Sequence, residues 1–146
     1  YYMGKKRIIK SKGAGMNKEL KSRALAKTSK RKLADGVLFV EATFNNTKVS
    51  FSDKKGNVIF WSSSGALGFR GAKKGTPFAA AKVGDLIGEK AESIGVKEAN
   101  VVVKGVGTGR ESAIRAFMSR GIELSAIKDT TPIPFNGPKA KKPRRV

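Results

Sequence analysis

Two residue types with versatile chemistry are missing from this sequence, which contains no cysteine and no histidine. Without cysteine the chain has no disulfides, no thiolate nucleophile and no cysteine-ligated zinc. Without histidine it lacks the commonest general base and metal ligand. No apolar run approaches the roughly 18 residues that a membrane span requires, and no secretory apolar segment is recognised near the start. These absences disfavour histidine- or cysteine-based catalysis and a membrane-spanning protein.

Acidic residues are scarce, since 11 Asp plus Glu face 31 Lys plus Arg, and the net charge is +20. Such an excess predicts a polyanionic partner. The charge is uneven: residues 1–34 carry +11, residues 35–131 only +4, and residues 132–146 another +5. We therefore predict a basic, disordered arm at 1–35, a globular α/β domain at 36–131 and a basic, proline-rich tail at 132–146. A mitochondrial transit peptide is an alternative for the arm, which is lysine-led and has no clear apolar face.

The globular part changes character halfway. Between Gly36 and Trp61 three apolar, β-favouring runs are separated by turn residues at 45–46 and 53–57, which predicts an antiparallel meander. Both alternating residue sets of the first run are largely apolar, so we expect that strand to be covered on both faces. From residue 77 onward helical patterns alternate with strands, which predicts parallel pairing through right-handed crossovers. The expected result is a mixed five-stranded sheet with helices packed on it.

The segment from Ser62 to Thr76 reads as a long flexible loop whose length favours a binding role. It contains the cations Arg70, Lys73 and Lys74. Thr76 then caps a helix whose first residue is Pro77. A helix that begins directly after a basic loop is suited to binding phosphate. Its apolar stripe and its terminal glycine are Ala79, Val83, Leu86, Ile87, Ile94 and Gly95.

Residues 101–121 form a predicted strand, glycine turn and helix. Three valines precede glycines at alternate positions, and an apolar stripe of Ile114, Phe117 and Met118 follows before Gly121. Three interpretations stay open: a tight crossover turn, a nucleotide site, or a site for the phosphates of a polymer. The GxGxG spacing does not meet the dinucleotide fingerprint. An anion there would have the cations Lys104, Arg110 and Arg115 nearby in sequence.

The tail combines four prolines with five cations and is expected to be an extended strap that orders on its partner. Its Asn136-Gly137 pair has the chemistry for isoaspartate formation, because glycine does not hinder attack by the following amide. The cations of the tail are Lys139, Lys141, Lys142, Arg144 and Arg145.

Five sequence blocks together resemble the universal small-subunit ribosomal protein S-eleven family, bacterial type. They are FNNT at 44–47, GFRG at 68–71, TPFAA at 76–80, VKGVGTGRESAIR at 103–115 and TPIPFNGPKAKKPRRV at 131–146. The resemblance covers 36–146 and implies a ribonuclease H-like mixed sheet of order 3-2-1-4-5. It further implies a structural, non-enzymatic constituent that binds small-subunit ribosomal RNA in the platform, near the messenger exit and the exit tRNA site. Neighbouring platform proteins, no cofactor, no metal, no membrane and no homo-oligomer are expected, in a cytoplasmic ribosome or, alternatively, an organelle matrix.

The resemblance also assigns RNA contacts residue by residue. Phe135 replaces a histidine common in bacterial relatives. Residues that carry over the contacts are Asn45, Asn46, Thr47, Arg70, Lys73, Lys74, Gly107, Arg110, Arg115, Asn136, Gly137, Arg144 and Arg145. Trp61 either stacks on a base or is half-buried, and Phe69 either contacts a partner or packs its own loop. Two other functions are alternatives to a ribosomal role. One is a nuclease, for which Asp53, Glu111 and Asp129 form no evident set of metal-binding carboxylates. The other is a free-standing nucleic-acid chaperone.

Overall fold

The computed structural model describes residues 17–26, 31–143 and 145. Its five-stranded sheet has the order β3-β2-β1-β4-β5, which confirms the order that the resemblance implied. The strands are β1 (Asp35–Ala42), β2 (Thr47–Ser52), β3 (Val58–Ser63), β4 (Glu98–Lys104) and β5 (Glu123–Asp129). The helices are α1 (Lys18–Ala26), α2 (Pro77–Ser93) and α3 (Arg110–Met118), with a 3₁₀ helix at Gly71–Gly75.

The first half is the predicted antiparallel meander. β1 pairs with β2 and β2 pairs with β3 in antiparallel register. The turn before β3 is closed by Asp53, whose carboxylate accepts from the Asn57 N–H at 2.9 Å. This hydrogen bond, followed by one from the Asn57 side chain, lowers the pKa of Asp53.

The second half forms the predicted crossovers. β4 pairs parallel with β1, and β5 pairs parallel with β4. The hydroxyl of Thr76 accepts from the Ala79 N–H at 3.3 Å and so caps α2, with Pro77 in the first turn. Gly95 and Gly121 follow α2 and α3 with φ of 86° and 81°, the left-handed geometry expected after a helix end. Within the described ranges, no helix is both long and apolar enough to cross a membrane.

The helices cover only one face of the sheet. Leu38, Val40 and Ala42 are fully buried, whereas Phe39 on the opposite face of β1 is 37% exposed. The expectation that both faces of β1 are covered is therefore wrong for the described residues. The helices α2 and α3 pack against each other on the same side of the sheet, so the other side of β1 is left uncovered. The core stripe of α2 is confirmed, and its members are Ala79, Val83, Leu86, Ile87 and Ile94.

The apolar stripe of α3 is only partly correct. Phe117 is fully buried and lies 6.3 Å from Phe51, measured between ring centroids. Met118 is instead 46% exposed, and Ala113 takes its place in the core. Met118 is the last residue of α3, so the apolar periodicity of the sequence continues to the exposed end of the helix.

A short helix lies inside the segment 1–35, for which composition predicts disorder. The side chain of Asn17 accepts from the Glu19 N–H at 3.0 Å and caps α1, and the Asn17 N–H donates to the Leu67 carbonyl at 2.9 Å. The Lys21 ammonium lies 3.8 Å from Asp85 and 3.7 Å from Glu89 of α2. The helix α1 therefore forms with few apolar residues, because its capping residue and its ion pairs with α2 hold it in place. For residues 1–16 and 27–30, the disorder prediction lies outside the described residues.

Candidate nucleic-acid interface

Three loops that are far apart in sequence meet at one edge of the sheet. This loop edge comprises residues 43–46, 71–76 and 105–109. The Thr108 hydroxyl donates to the Gly75 carbonyl at 3.0 Å, and the Gly107 N–H donates to the Ala42 carbonyl at 2.8 Å. The loops are so close that a Cβ atom at Gly75 would lie 2.2 Å from the Phe44 carbonyl oxygen. The FNNT, KKGT and GVGTG sequences therefore form one continuous surface.

The glycines at alternate positions are explained by packing within the chain. A Cβ atom at Gly105 would lie 2.2 Å from the Ala42 carbonyl oxygen, and one at Gly109 would lie 2.4 Å from the Thr47 hydroxyl. Real Cβ atoms do not approach so closely, so only glycine allows this loop to lie against the end of β1. The missing side chains thus admit the neighbouring strand, which favours the crossover-turn interpretation left open by the sequence.

Hydrogen bonds within the glycine loop already use two main-chain groups at the usual place for a nucleotide. In open α/β sheets a nucleotide occupies the crevice beyond the carboxyl ends of strands whose connections diverge, here β1 and β4. The glycine loop lies against the end of β1 there. The Gly107 N–H is bonded to Ala42, and the Gly105 N–H donates to the Thr131 hydroxyl at 3.1 Å. Two of the loop N–H groups that a phosphate could contact are therefore already used.

Arg110 fixes the loop from the other side. Its guanidinium donates to the Gly105 carbonyl at 2.9 Å and to the Asp129 carboxylate at 2.6 Å. The hydroxyl and the N–H of Thr131 also donate to Asp129, at 2.6 and 2.9 Å. These two hydrogen bonds from Thr131, and then the bond from Arg110, lower the pKa of Asp129 to about 2. Asp129 thus orients Arg110.

The segment 62–76 is packed rather than flexible. β3 continues to Ser63, the 3₁₀ helix spans Gly71–Gly75, and Leu67 and Phe69 are 1% and 2% exposed. Phe69 packs edge-on against Phe78 with ring centroids 6.1 Å apart, so its loop-packing alternative is correct. The expected flexible loop is wrong because apolar side chains anchor it to the core.

Packing of that segment sets its cations at the loop edge. Arg70 is exposed beside the 3₁₀ helix, and Lys73 and Lys74 form its last turn. Thr76 joins this turn to α2, because its hydroxyl also donates to the Lys73 carbonyl at 2.7 Å. The first turn of α2 contains no acidic residue. Its positive end is therefore not neutralised locally, which suits an approaching phosphate.

The FNNT turn presents some of its predicted contact residues and hides others. Asn45 is exposed and Asn46 is intermediate, and the Asn46 carbonyl accepts from the Thr43 N–H at 2.8 Å. Thr47 is fully buried beneath the loop edge. A direct RNA contact by the Thr47 side chain therefore requires movement, whereas Asn45 is already accessible.

The remaining predicted cations are spread around this edge. Lys104 shares its face of the sheet with Glu41, opposite to the face on which Arg110 lies. Arg115 is exposed in the last turn of α3, 3.4 Å from the Glu111 carboxylate. The three cations expected around one anion are thus not brought together. In the tail, Asn136 has a φ of 55°, and exposed residues are Gly137, Lys139, Lys141, Lys142 and Arg145. Arg144 lies outside the described residues.

Two threonines that join these loops were missed by sequence reasoning. Thr108 connects the glycine loop to Gly75, and Thr131 connects the end of β5 to Gly105 and Asp129. A hydroxyl residue placed between two glycines, as in GTG, is the signal that could have identified Thr108. The hydrogen bond from Gly105 to Thr131 crosses 26 residues and has no local signature, whereas the bonds from Thr131 to Asp129 span two residues.

The arrangement offers cations and main-chain polar groups but no set of carboxylates for two-metal chemistry. Within residues 17–26, 31–143 and 145, no group of three or more acidic side chains is close enough to hold a metal ion. Asp53 lies in the β2–β3 turn, and Asp129 is held by Arg110 and Thr131. The nuclease alternative therefore gains no support from the positions of these acids.

Comparison with known proteins agrees with the geometry. A family model described as "Ribosomal protein S11" matches residues 36–145. The chain is also 52% identical over 126 residues to "Small ribosomal subunit protein uS11" of Solibacter usitatus (strain Ellin6076), covering 86% of this chain and 93% of that protein. Both matches include the loop edge. The chain therefore belongs to the ribosomal protein S11 family.

Proposed function

We propose that the protein binds small-subunit ribosomal RNA through the loop edge and the C-terminal tail, as a structural constituent that supports assembly and translation. The observation that carries this proposal is the convergence of the three family-like loops on one edge that also bears Arg70, Lys73 and Lys74. Cationic side chains there neutralise backbone phosphates, while the packed sheet and α2 fix their spacing.

The family assignment supports a location for this contact. In the small subunit we place the protein on the platform, near the messenger exit and the exit tRNA site, beside other platform proteins. The bacterial relative supports a bacterial ribosome as its compartment. The tail after Thr131 is exposed along its described length, so it can follow RNA as a second, extended contact.

The test compares removal of equal charge at opposite ends of the sheet. One variant carries Lys73→Gln and Lys74→Gln at the loop edge. The matched control carries Lys55→Gln and Lys97→Gln, which lie at the β2–β3 turn and before β4. Affinity for small-subunit RNA is measured by filter binding over a range of salt concentrations.

We expect the loop-edge variant to bind more weakly, and its salt slope to fall by about 0.7–0.9 for each phosphate that the removed lysines no longer neutralise. The control should keep the slope of the parental chain. Deletion of residues 132–146 should flatten the slope further. Equal slopes for both double variants would show that the loop edge does not bind phosphates. Failure to sediment with small subunits at moderate salt would favour the free-standing chaperone.

A further inference from the structure

The face of the sheet opposite the helices carries a row of residues that core packing does not explain. Strand register places Trp61, Ser50, Phe39, Val102 and Lys128 side by side across all five strands. Trp61 is 57% exposed and Phe39 is 37% exposed. We call this line of five residues the open-face row. Large exposed aromatic side chains on an otherwise packed domain indicate a surface that contacts a partner.

Charge around the open-face row points to the chemistry of that partner. Lys128 ends the row, and the next row towards the loop edge contains Lys48, Glu41 and Lys104. The one acid in that second row is paired, since the Lys48 ammonium lies 3.1 Å from the Glu41 carboxylate. Apolar rings beside a net positive border match a partner that offers flat apolar groups on an anionic backbone.

The acidic residues on this face other than Glu41 lie at the far end. Asp35 and Glu98 pair across β1 and β4, and Asp35 is ion-paired with Lys54. Asp35 precedes Phe39 by four residues, which is about 13 Å along a strand. The acids are therefore too distant to repel an anion bound over the rings, and they favour an approach from the loop edge.

We infer that the open-face row is a stacking platform for unpaired bases of RNA, with Trp61 and Phe39 as the stacking rings and Lys104 and Lys128 beside the phosphates. Phe39 and Trp61 are two strands apart, about 10 Å, so each ring can accept its own base. Aromatic side chains on an exposed sheet stack on single-stranded bases in the same manner, and this mode is tolerant of sequence. The inference rests on the proposed RNA-binding function but uses a surface distinct from the loop edge.

Trp61 is the single tryptophan of the chain, so its fluorescence reports on this surface alone. The full chain is titrated with a short single-stranded oligoadenylate and with an adenylate·uridylate duplex of equal length. We expect the single strand to quench Trp61 emission and to protect it from acrylamide. The duplex has no unpaired bases, so it should bind by its phosphates without quenching.

Variants separate stacking from charge. Phe39→Leu and Trp61→Leu keep an apolar side chain but remove the ring, and filter binding should show that each weakens single-strand binding roughly five- to one-hundred-fold while sparing the duplex. Ile127→Ala is the control, since Ile127 is 63% exposed and pairs with Val101 of the buried face. This substitution should change neither the affinity for the single strand nor the affinity for the duplex. Circular dichroism of each variant verifies the fold.

The outcomes distinguish this inference from the proposed function. Unchanged Trp61 emission in a chain that still binds RNA by filter assay would overturn the platform and leave the proposed function standing. If the parental chain bound no RNA at all, both the stacking platform and the proposed function would be overturned. Protection of Trp61 by a purified neighbouring ribosomal protein, and not by RNA, would make the open-face row a protein-docking surface and would also overturn the inference.

Discussion

Replacement of Gly107 by alanine separates packing of the glycine loop from contact with a ligand. A Cβ atom at this position would lie 2.3 Å from the Thr43 carbonyl oxygen and 2.8 Å from the Ala42 carbonyl carbon. Both are main-chain atoms and cannot rotate away. The φ of Gly107 is not positive, so the substitution tests the close approach and not left-handed backbone strain.

The expected loss of stability follows from two contributions. Forcing an extra methyl group into a packed site costs about 1–3 kcal/mol. Displacing the loop also breaks the hydrogen bond from the Gly107 N–H to Ala42, which contributes about 0.5–1.5 kcal/mol. The free energy of unfolding should therefore fall by about 1.5–4.5 kcal/mol, or about 0.8–2.3 M in the urea midpoint for an m value near 2 kcal/mol/M.

Urea unfolding of the RNA-free chain, followed by Trp61 emission, measures this loss directly. Gly65→Ala is the matched control, because the nearest atom to its new Cβ would be the flexible Lys74 Cδ at 3.7 Å. The control should unfold within about 0.5 kcal/mol of the parent. If Gly107→Ala were as stable as the control but bound RNA poorly, the glycine would serve ligand approach, and our explanation of the loop would be refuted.

Three further predictions follow from named contacts. The pKa of Asp129 is lowered from 3.8 to about 2, so its ionised form stabilises the folded chain above about pH 4, and this contribution is lost as the pH falls through 2. Titration of the Asp129 carboxyl group followed by NMR should give a midpoint near 2. The Asp129→Asn substitution should remove this pH dependence from the free energy of unfolding. Thr76→Ala should lower the free energy of unfolding by about 0.5–2 kcal/mol through loss of the α2 cap. Thr76→Ser keeps the capping hydroxyl and should retain most of this stability in thermal unfolding. Phe117→Ala should cost about 3–5 kcal/mol and Met118→Gln less than about 0.5 kcal/mol in urea unfolding; equal effects would contradict the observed packing of α3.

Local signals in the sequence predicted the elements well. The cap at Thr76 and the stripe of α2 depend on spacing within one helix, so residues 76–95 could be interpreted without knowledge of their neighbours. The meander and the parallel crossovers followed from where apolar alternation gives way to helical spacing. In each case the information lies within about twenty residues of chain.

Contacts between distant segments could not be predicted in this way. The collision that excludes a side chain at Gly105 involves Ala42, and the guanidinium that donates to Asp129 belongs to Arg110, 19 residues earlier in the chain. Apolar residues on both sides of β1 were interpreted as two buried faces, although Phe39 is exposed on the open-face row. Composition alone does not distinguish a ring that packs in the core from one that awaits a partner.

The central claim is that the loop edge and the tail contact small-subunit ribosomal RNA. Ultraviolet crosslinking of the chain in assembled small subunits, with crosslinked peptides located by mass spectrometry, tests it most directly. We predict RNA crosslinks on peptides containing residues 43–46, 70–76 and 132–143, and none on residues 53–57 at the opposite end of the sheet. Crosslinks confined to residues 53–57, with the loop edge and tail unmodified, would contradict the account.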